Sequence, residues 1–171
     1  RFDLAGKTVI HTTSAGTQGI ANASGADVIL TGSLVNAKAI AAYIMQNGFS
    51  QVSLVCMGLN AEAQTEEDNL CAEYIKSLLE GNPLPDMEER MADLKNTSGA
   101  KFFDPAQADV YPRDDFQMCN RTDCFSFVPG IYSSKKCNFI MYPPFNIIYL
   151  YMNKLFKKRL LHLLRLQLLR L

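Results

Sequence analysis

The chain has 171 residues, close to the size of one domain and enough to bury a sizeable core. Of these, 48% are hydrophobic and 20% charged, a balance that excludes a disordered or fibrous chain. The net charge of zero conceals a split: all seventeen Asp and Glu residues lie at or before Asp123 with nine of the seventeen Lys and Arg residues, so the last stretch is purely basic.

Five cysteines at irregular spacing, two of them (Cys56 and Cys71) inside apolar runs, argue against a disulfide framework. The opening residues Arg1-Phe2-Asp3-Leu4 lack the apolar stretch of an export signal, so a cytoplasmic location is expected.

Residues 7–81 alternate short β-branched runs with longer helical ones, the pattern of βαβ units around a mainly parallel sheet with flanking helices. Thr8–Thr13 reads as a first strand, followed by the loop Ser14-Ala15-Gly16-Thr17 and a short Ala-rich helix to about Ser24. Asp27–Thr31 is a second strand, and Leu34–Asn47 a helix stopped by Gly48. Val52–Met57 is a third strand. Glu66 to about Glu80 is a helix whose Leu70, Tyr74, Ile75, Leu78 and Leu79 form an apolar stripe. Residues 86–97 predict an amphipathic helix, and the stretch from Phe102 to Phe116 reads as turn-rich covering structure. In an open parallel sheet the loops at the carboxyl ends of the strands share one crevice, so chemistry is expected there.

Each of those loops has two readings. Thr13-Ser14-Ala15-Gly16-Thr17 offers hydroxyls and the free N–H groups of a helix start to a phosphate or sulfonate, or Ser14 and Thr17 simply cap the helix. Ser33 is a natural N-cap, whereas Asn36 can point its amide back over the strand ends. Glu66-Glu67-Asp68 can ligate a hard cation such as Mg²⁺, or can complement the helix dipole behind Thr65. Several phosphatase chemistries are excluded: no cysteine has an arginine six positions later, no Asp-x-Asp pair occurs, and His11 and His162 are too few for a histidine-based metal site. Walker and dinucleotide glycine patterns are absent too.

The segments Gly6–Thr17, Gly32–Ala37, Val55–Gly58 and Glu67–Ala72, followed by Phe103-Asp104 and Asp109–Asp115, resemble the 2-phosphosulfolactate phosphatase family in order and spacing over residues 1–127. The resemblance implies a Mg²⁺-dependent acid phosphatase that converts 2-phospho-3-sulfolactate to 3-sulfolactate and phosphate, a step of coenzyme M biosynthesis. Carried over by position, it implies substrate binding by Thr13, Ser14, Gly16, Thr17 and Asn36, and metal binding by Glu67 and Asp68. The implied partner is a small phosphorylated sulfonate; a homo-oligomer is compatible with it, and no nucleic acid is expected. Family members carry an Asp-Val-Leu-Arg-Ala-Thr-like strand upstream of the segment at which this chain opens, so part of the catalytic site is expected in that missing segment and the fragment can be inactive.

The expected organisation is a phosphatase-like α/β domain at 1–127, incomplete at its N-terminus, and a basic hydrophobic tail at 128–171 outside the resemblance. Two other functions stay open at this level: a non-catalytic small-anion-binding module, and membrane-surface contact through a basic helix within 146–171.

Overall fold

The computed structural model describes residues 15–23, 25–132, 140–142 and 167–170. The expected strand Thr8–Thr13, and with it Thr13 and Ser14 of the first loop, lies outside the described residues, as does all of the expected tail helix except 167–170.

The described residues open with helix α1 (Gly16–Asn22) and strand β1 (Ile29–Gly32), the latter buried at all four positions. A single 3₁₀ turn, Leu34–Asn36, then leads into α2 (Ala37–Asn47). Gly48 ends α2 at φ 65°, a left-handed conformation that a side chain disfavours, as its place in the sequence predicts. Strand β2 (Ser53–Val55) and helix α3 (Glu66–Glu80) follow at the expected positions. Helix α4 (Met87–Asp93) is shorter than its polar pattern suggests. Beyond it the chain coils into turns, with the Gly99 N–H donating to the Leu94 carbonyl at 2.7 Å while Leu94 is buried. Helix α5 (Arg113–Cys119) and strands β3 (Gly130–Tyr132), β4 (Ile140–Tyr142) and β5 (Gln167–Arg170) complete the described elements.

Packing follows the two-residue alternation of β1. Leu30 faces the main core, where Ile40 of α2 meets Ile75 of α3, both fully excluded from solvent. Each such side chain contributes about 1.5–3 kcal/mol by burial. Its neighbour Ile29 belongs to a second cluster with Ile20 and Ala23 at the end of α1, joined by Val55 and Ile131. Helices α2 and α3 therefore cover one face of the sheet and α1 the other, a layered α/β arrangement. Gly19 permits the close approach of α1, because a Cβ there would collide with the Met57 thioether.

The expectation of a mainly parallel sheet is corrected. The strand order is β2-β5-β1-β3-β4, and every hydrogen-bonded neighbour pair is antiparallel. Strands β1 and β2 do point the same way, as a crossover through α2 requires, but β5 lies between them and runs opposite to both. No parallel ladder forms between β1 and β2 because the slot that one would occupy is filled from the far end of the chain. Val128, just past the expected domain boundary, is buried in the main core, and the Thr31 N–H donates to the Pro129 carbonyl at 3.0 Å. No helix among the described residues is long and apolar enough to cross a membrane.

Candidate functional site

The end of β1, the first turns of α3 and the segment that follows α5 enclose a cavity of about 280 Å³. Its lining includes the polar residues Ser33, Asn36, Glu67, Asp68 and Asn120 and the apolar residues Phe102, Phe116, Met118, Phe125 and Phe127. Three of the residues implied by the family resemblance, Asn36, Glu67 and Asp68, are thus brought to one cavity. Gly16 and Thr17 sit at the start of α1, on the opposite face of the sheet, and are not part of its wall. Gly16 is buried and Thr17 half-buried.

Asn36 is buried, and its amide holds the turn together. Its Oδ1 accepts the Ser33 N–H at 3.0 Å and the Ser33 hydroxyl at 2.9 Å, and its Nδ2 donates to the Phe127 carbonyl at 3.3 Å. Of the two readings of this loop, the local one is realised, with the residue serving to position the Ser33 hydroxyl and the 125–127 segment.

Thr65, expected as the cap of α3, makes no side-chain cap; its Oγ1 is buried without a hydrogen-bond partner among the described residues. The acidic turn beyond it divides into three environments. Glu66 points away from the cavity and accepts from Arg90 at 2.9 Å, in a cluster where the same guanidinium also meets Glu73. Glu67 lines the cavity with both carboxylate oxygens buried. Asp68 is buried, and its Oδ2 accepts the Gly58 N–H at 2.7 Å. Burial pushes the Asp68 carboxyl above the usual range, while the Gly58 and Met57 N–H groups pull it back down.

The loop that meets Asp68 is unusual in its backbone. Gly58 lies at φ 59°, and a Cβ there would collide with the Ala63 carbonyl. Asn60 and Ala61 follow at φ 56° and 60°. A left-handed run of this kind is held by the Leu59 N–H to Ala63 carbonyl bond at 2.8 Å and by the Asp68 carboxylate.

The residue that sequence reasoning missed is Asn120. Its Nδ2 donates to the Met91 carbonyl at 3.0 Å, tying α4 to the cavity wall. Its Oδ1 is buried and has no hydrogen-bond partner among the described residues. Only its place just after α5, beside Arg121, could have marked it. Asp123 was missed as well: at φ 54° it accepts the Lys38 N–H at 2.8 Å and the Tyr74 hydroxyl at 2.6 Å, so it anchors the segment that forms one side of the cavity.

No group of three or more His, Cys, Asp or Glu side chains is gathered for a metal among the described residues. A Mg²⁺ ion needs less, because it retains waters and is held by one or two carboxylates together with substrate phosphate. The oxygen set of Glu67, Asp68 and the Asn120 Oδ1, an otherwise orphaned buried acceptor on the same cavity, fits a hard cation of this kind.

The family model described as 2-phosphosulpholactate phosphatase matches residues 1–134. A protein of Caldicellulosiruptor saccharolyticus named "Probable 2-phosphosulfolactate phosphatase" is 43% identical over 86 residues, which cover 48% of this chain and 35% of the relative. The chain thus spans about a third of the length of that curated relative. No solved structure matches. With the match extending over more than three quarters of its residues, the chain belongs to the 2-phosphosulpholactate phosphatase family.

Proposed function

We propose that the chain supplies the substrate cavity of a phosphoric monoester hydrolase acting on 2-phospho-3-sulfolactate, with 3-sulfolactate and phosphate as products. The observation that carries this reading is the meeting of Glu67, Asp68, Asn120 and Arg121 at one cavity inside the span matched by the family. The name of the Caldicellulosiruptor relative points to the same substrate. A role in coenzyme M biosynthesis and a cytoplasmic location belong to the same proposal.

Glu67, Asp68 and Asn120 would hold Mg²⁺, which when bound neutralises phosphate charge and draws electron density from phosphorus. The chain's own contribution is positioning. Ser33 and Asn36 lock the turn at the end of β1 through their mutual hydrogen bonds, and Arg121 brings a positive charge to the cavity wall. Asp68 holds the Gly58 loop against the start of α3, so the first turn of that helix keeps one orientation. Such fixed groups act on a phosphoryl group by orientation and charge compensation.

The experiment is phosphate release from 2-phospho-3-sulfolactate by the full chain, with and without magnesium, in parallel with the Glu67→Gln variant. Magnesium-dependent release that drops at least tenfold in the variant is the expected outcome for a working site. Release that ignores both magnesium and Glu67 would place the chemistry elsewhere.

A further inference from the structure

Between residues 25 and 132 nearly every basic side chain is engaged by a neighbour. Lys38, Lys76 and Arg90 pair with carboxylates, and Lys95, Lys101 and Arg113 each stand over an aromatic ring. The exception is Arg121, which lines the cavity and has no ion pair, hydrogen bond or ring contact among the described residues. Its charge is left for something that enters the cavity.

The backbone that carries Arg121 is fixed on both sides. The Asn120 N–H donates to the Phe116 carbonyl at 2.8 Å and its Nδ2 to the Met91 carbonyl at 3.0 Å. Two residues further on, the Asp123 N–H donates to the Leu34 carbonyl at 3.0 Å. The arginine thus sits on a short span between anchored residues, and it is exposed, so a ligand can reach it. A guanidinium offers its N–H groups as a planar fork that matches the oxygens of an anion.

Charge decides which anion. The charged side chains among the lining residues are Glu67, Asp68 and Arg121. The two carboxylates balance a divalent cation, so the surplus negative charge of a polyanionic ligand falls to Arg121. A hard cation takes phosphate and carboxylate oxygens readily. A sulfonate is the weakest base of the three anionic groups in the proposed substrate, and a weakly hydrated guanidinium suits it better than a hard cation does.

We propose that Arg121 is a specificity-determining residue of this cavity and holds the sulfonate of the substrate. The proposal rests on the reading of the cavity as a site for 2-phospho-3-sulfolactate, and deepens it by assigning the group that tells this ester from those of unsulfonated hydroxy acids. Because Arg121 is exposed, water competes for the pair, and the discrimination is on the order of fivefold to tenfold.

Calorimetry on the full chain in magnesium buffer tests the proposal with 3-sulfolactate and with lactate, which lacks only the sulfonate. Wild type, Arg121→Gln and Arg121→Lys are compared, with circular dichroism as the check of folding. Wild type should bind 3-sulfolactate at least about fivefold more tightly than lactate. Arg121→Gln should erase that preference and leave lactate affinity unchanged, whereas Arg121→Lys, which keeps the charge without the fork, should retain part of it. Equal affinities in the wild type, no binding of either ligand, a preference that survives Arg121→Gln, or an equal loss for both ligands would each overturn the proposal. Phosphate release from 2-phospho-3-sulfolactate without the sulfonate preference sinks this proposal alone. A sulfonate preference that depends on Arg121, without phosphate release from any ester, sinks the hydrolase reading alone.

Discussion

Tyr74 of α3 donates its hydroxyl to Asp123 at 2.6 Å, and the other oxygen of that carboxylate accepts the Lys38 N–H in the first turn of α2 at 2.8 Å. One side chain thereby ties two helices to the segment that leads from α5 back to the sheet. The same segment is stitched to the turn before α2 by the Asp123 N–H to Leu34 carbonyl bond at 3.0 Å and the Phe125 N–H to Val35 carbonyl bond at 2.9 Å. Asp123 thus caps α2 from a distance and shapes the cavity wall at once.

A pH dependence follows. Burial, the hydrogen bond to Asp123 and the negative charge of that carboxylate push Tyr74 up to about 12. The folded state therefore favours the protonated phenol over the unfolded chain, where tyrosine titrates near 10. The stabilisation is fully present below about pH 10 and is lost as pH rises through about 12. Tyr74→Phe should cost about 1 kcal/mol at neutral pH, the low end for a bond to a charged group because the site is partly exposed to solvent. Its urea midpoint should fall less steeply than that of the wild type between pH 10 and 12. Parallel curves would mean that the hydrogen bond carries no stability.

Asp68 separates acceptor from charge. Asp68→Asn retains an oxygen for the Gly58 N–H and removes a charge that burial disfavours, which offsets the loss of one acceptor oxygen facing the Gly58 and Met57 N–H groups, so stability at neutral pH should change by less than about 1 kcal/mol. Asp68→Ala leaves the Gly58 N–H without its acceptor and should lower stability by about 1–3 kcal/mol. Denaturant titration of both variants checks the order, and an alanine variant as stable as the asparagine one would contradict it.

How far the sequence discloses this structure depends on the range of the interactions involved. The start and approximate extent of α3 were legible from its apolar stripe and its first acidic turn, and the end of α2 from Gly48, because both are set by neighbours within one helical turn. The co-location of Asn36, Glu67 and Asp68 was legible through the expectation that strand ends share a crevice. The direction of the sheet was not. Strand β5 comes from Gln167–Arg170, a Leu-rich basic stretch without β-branched residues, and nothing local says that it enters between β1 and β2. The apolar lining of the cavity was hidden for a similar reason. Phe102 and Phe116 sit in a region that reads as turns, and Asp123 finds its partners 49 and 85 residues away.

Gly58 should be the least replaceable residue of the loop beneath α3. Its φ of 59° disfavours any side chain, and an added Cβ meets the Ala63 carbonyl, which is backbone and cannot turn aside. Gly58→Ala should therefore destabilise by about 2 kcal/mol or more, the sum of left-handed strain and steric conflict. The loss should also weaken the Gly58 N–H to Asp68 bond, so amide exchange at Gly58 should accelerate more than that of the core residue Ile75. Uniform acceleration across both sites would indicate global destabilisation without a local change at the loop.

Deletion of residues 129–171 tests whether the far end of the chain is part of the sheet. The cut removes the Pro129 carbonyl that accepts from the Thr31 N–H, the β3 partner of β1, and β5 with its four-residue register against β1 and three-residue register against β2. Strands β1 and β2 would keep their helices on both faces but lose every described ladder partner, leaving buried N–H and C=O groups of β1 unsatisfied at about 1–3 kcal/mol each. With about 2–8 °C of midpoint per kcal/mol for a domain of this size, the truncated chain should melt well below the full chain or fail to fold. An equal midpoint would mean that the sheet is completed without this segment, with 128–171 an appendage to a self-sufficient domain. A shorter deletion of 160–171 alone separates β5 from β3, and it should already lower the midpoint if the strand between β1 and β2 is the one that matters.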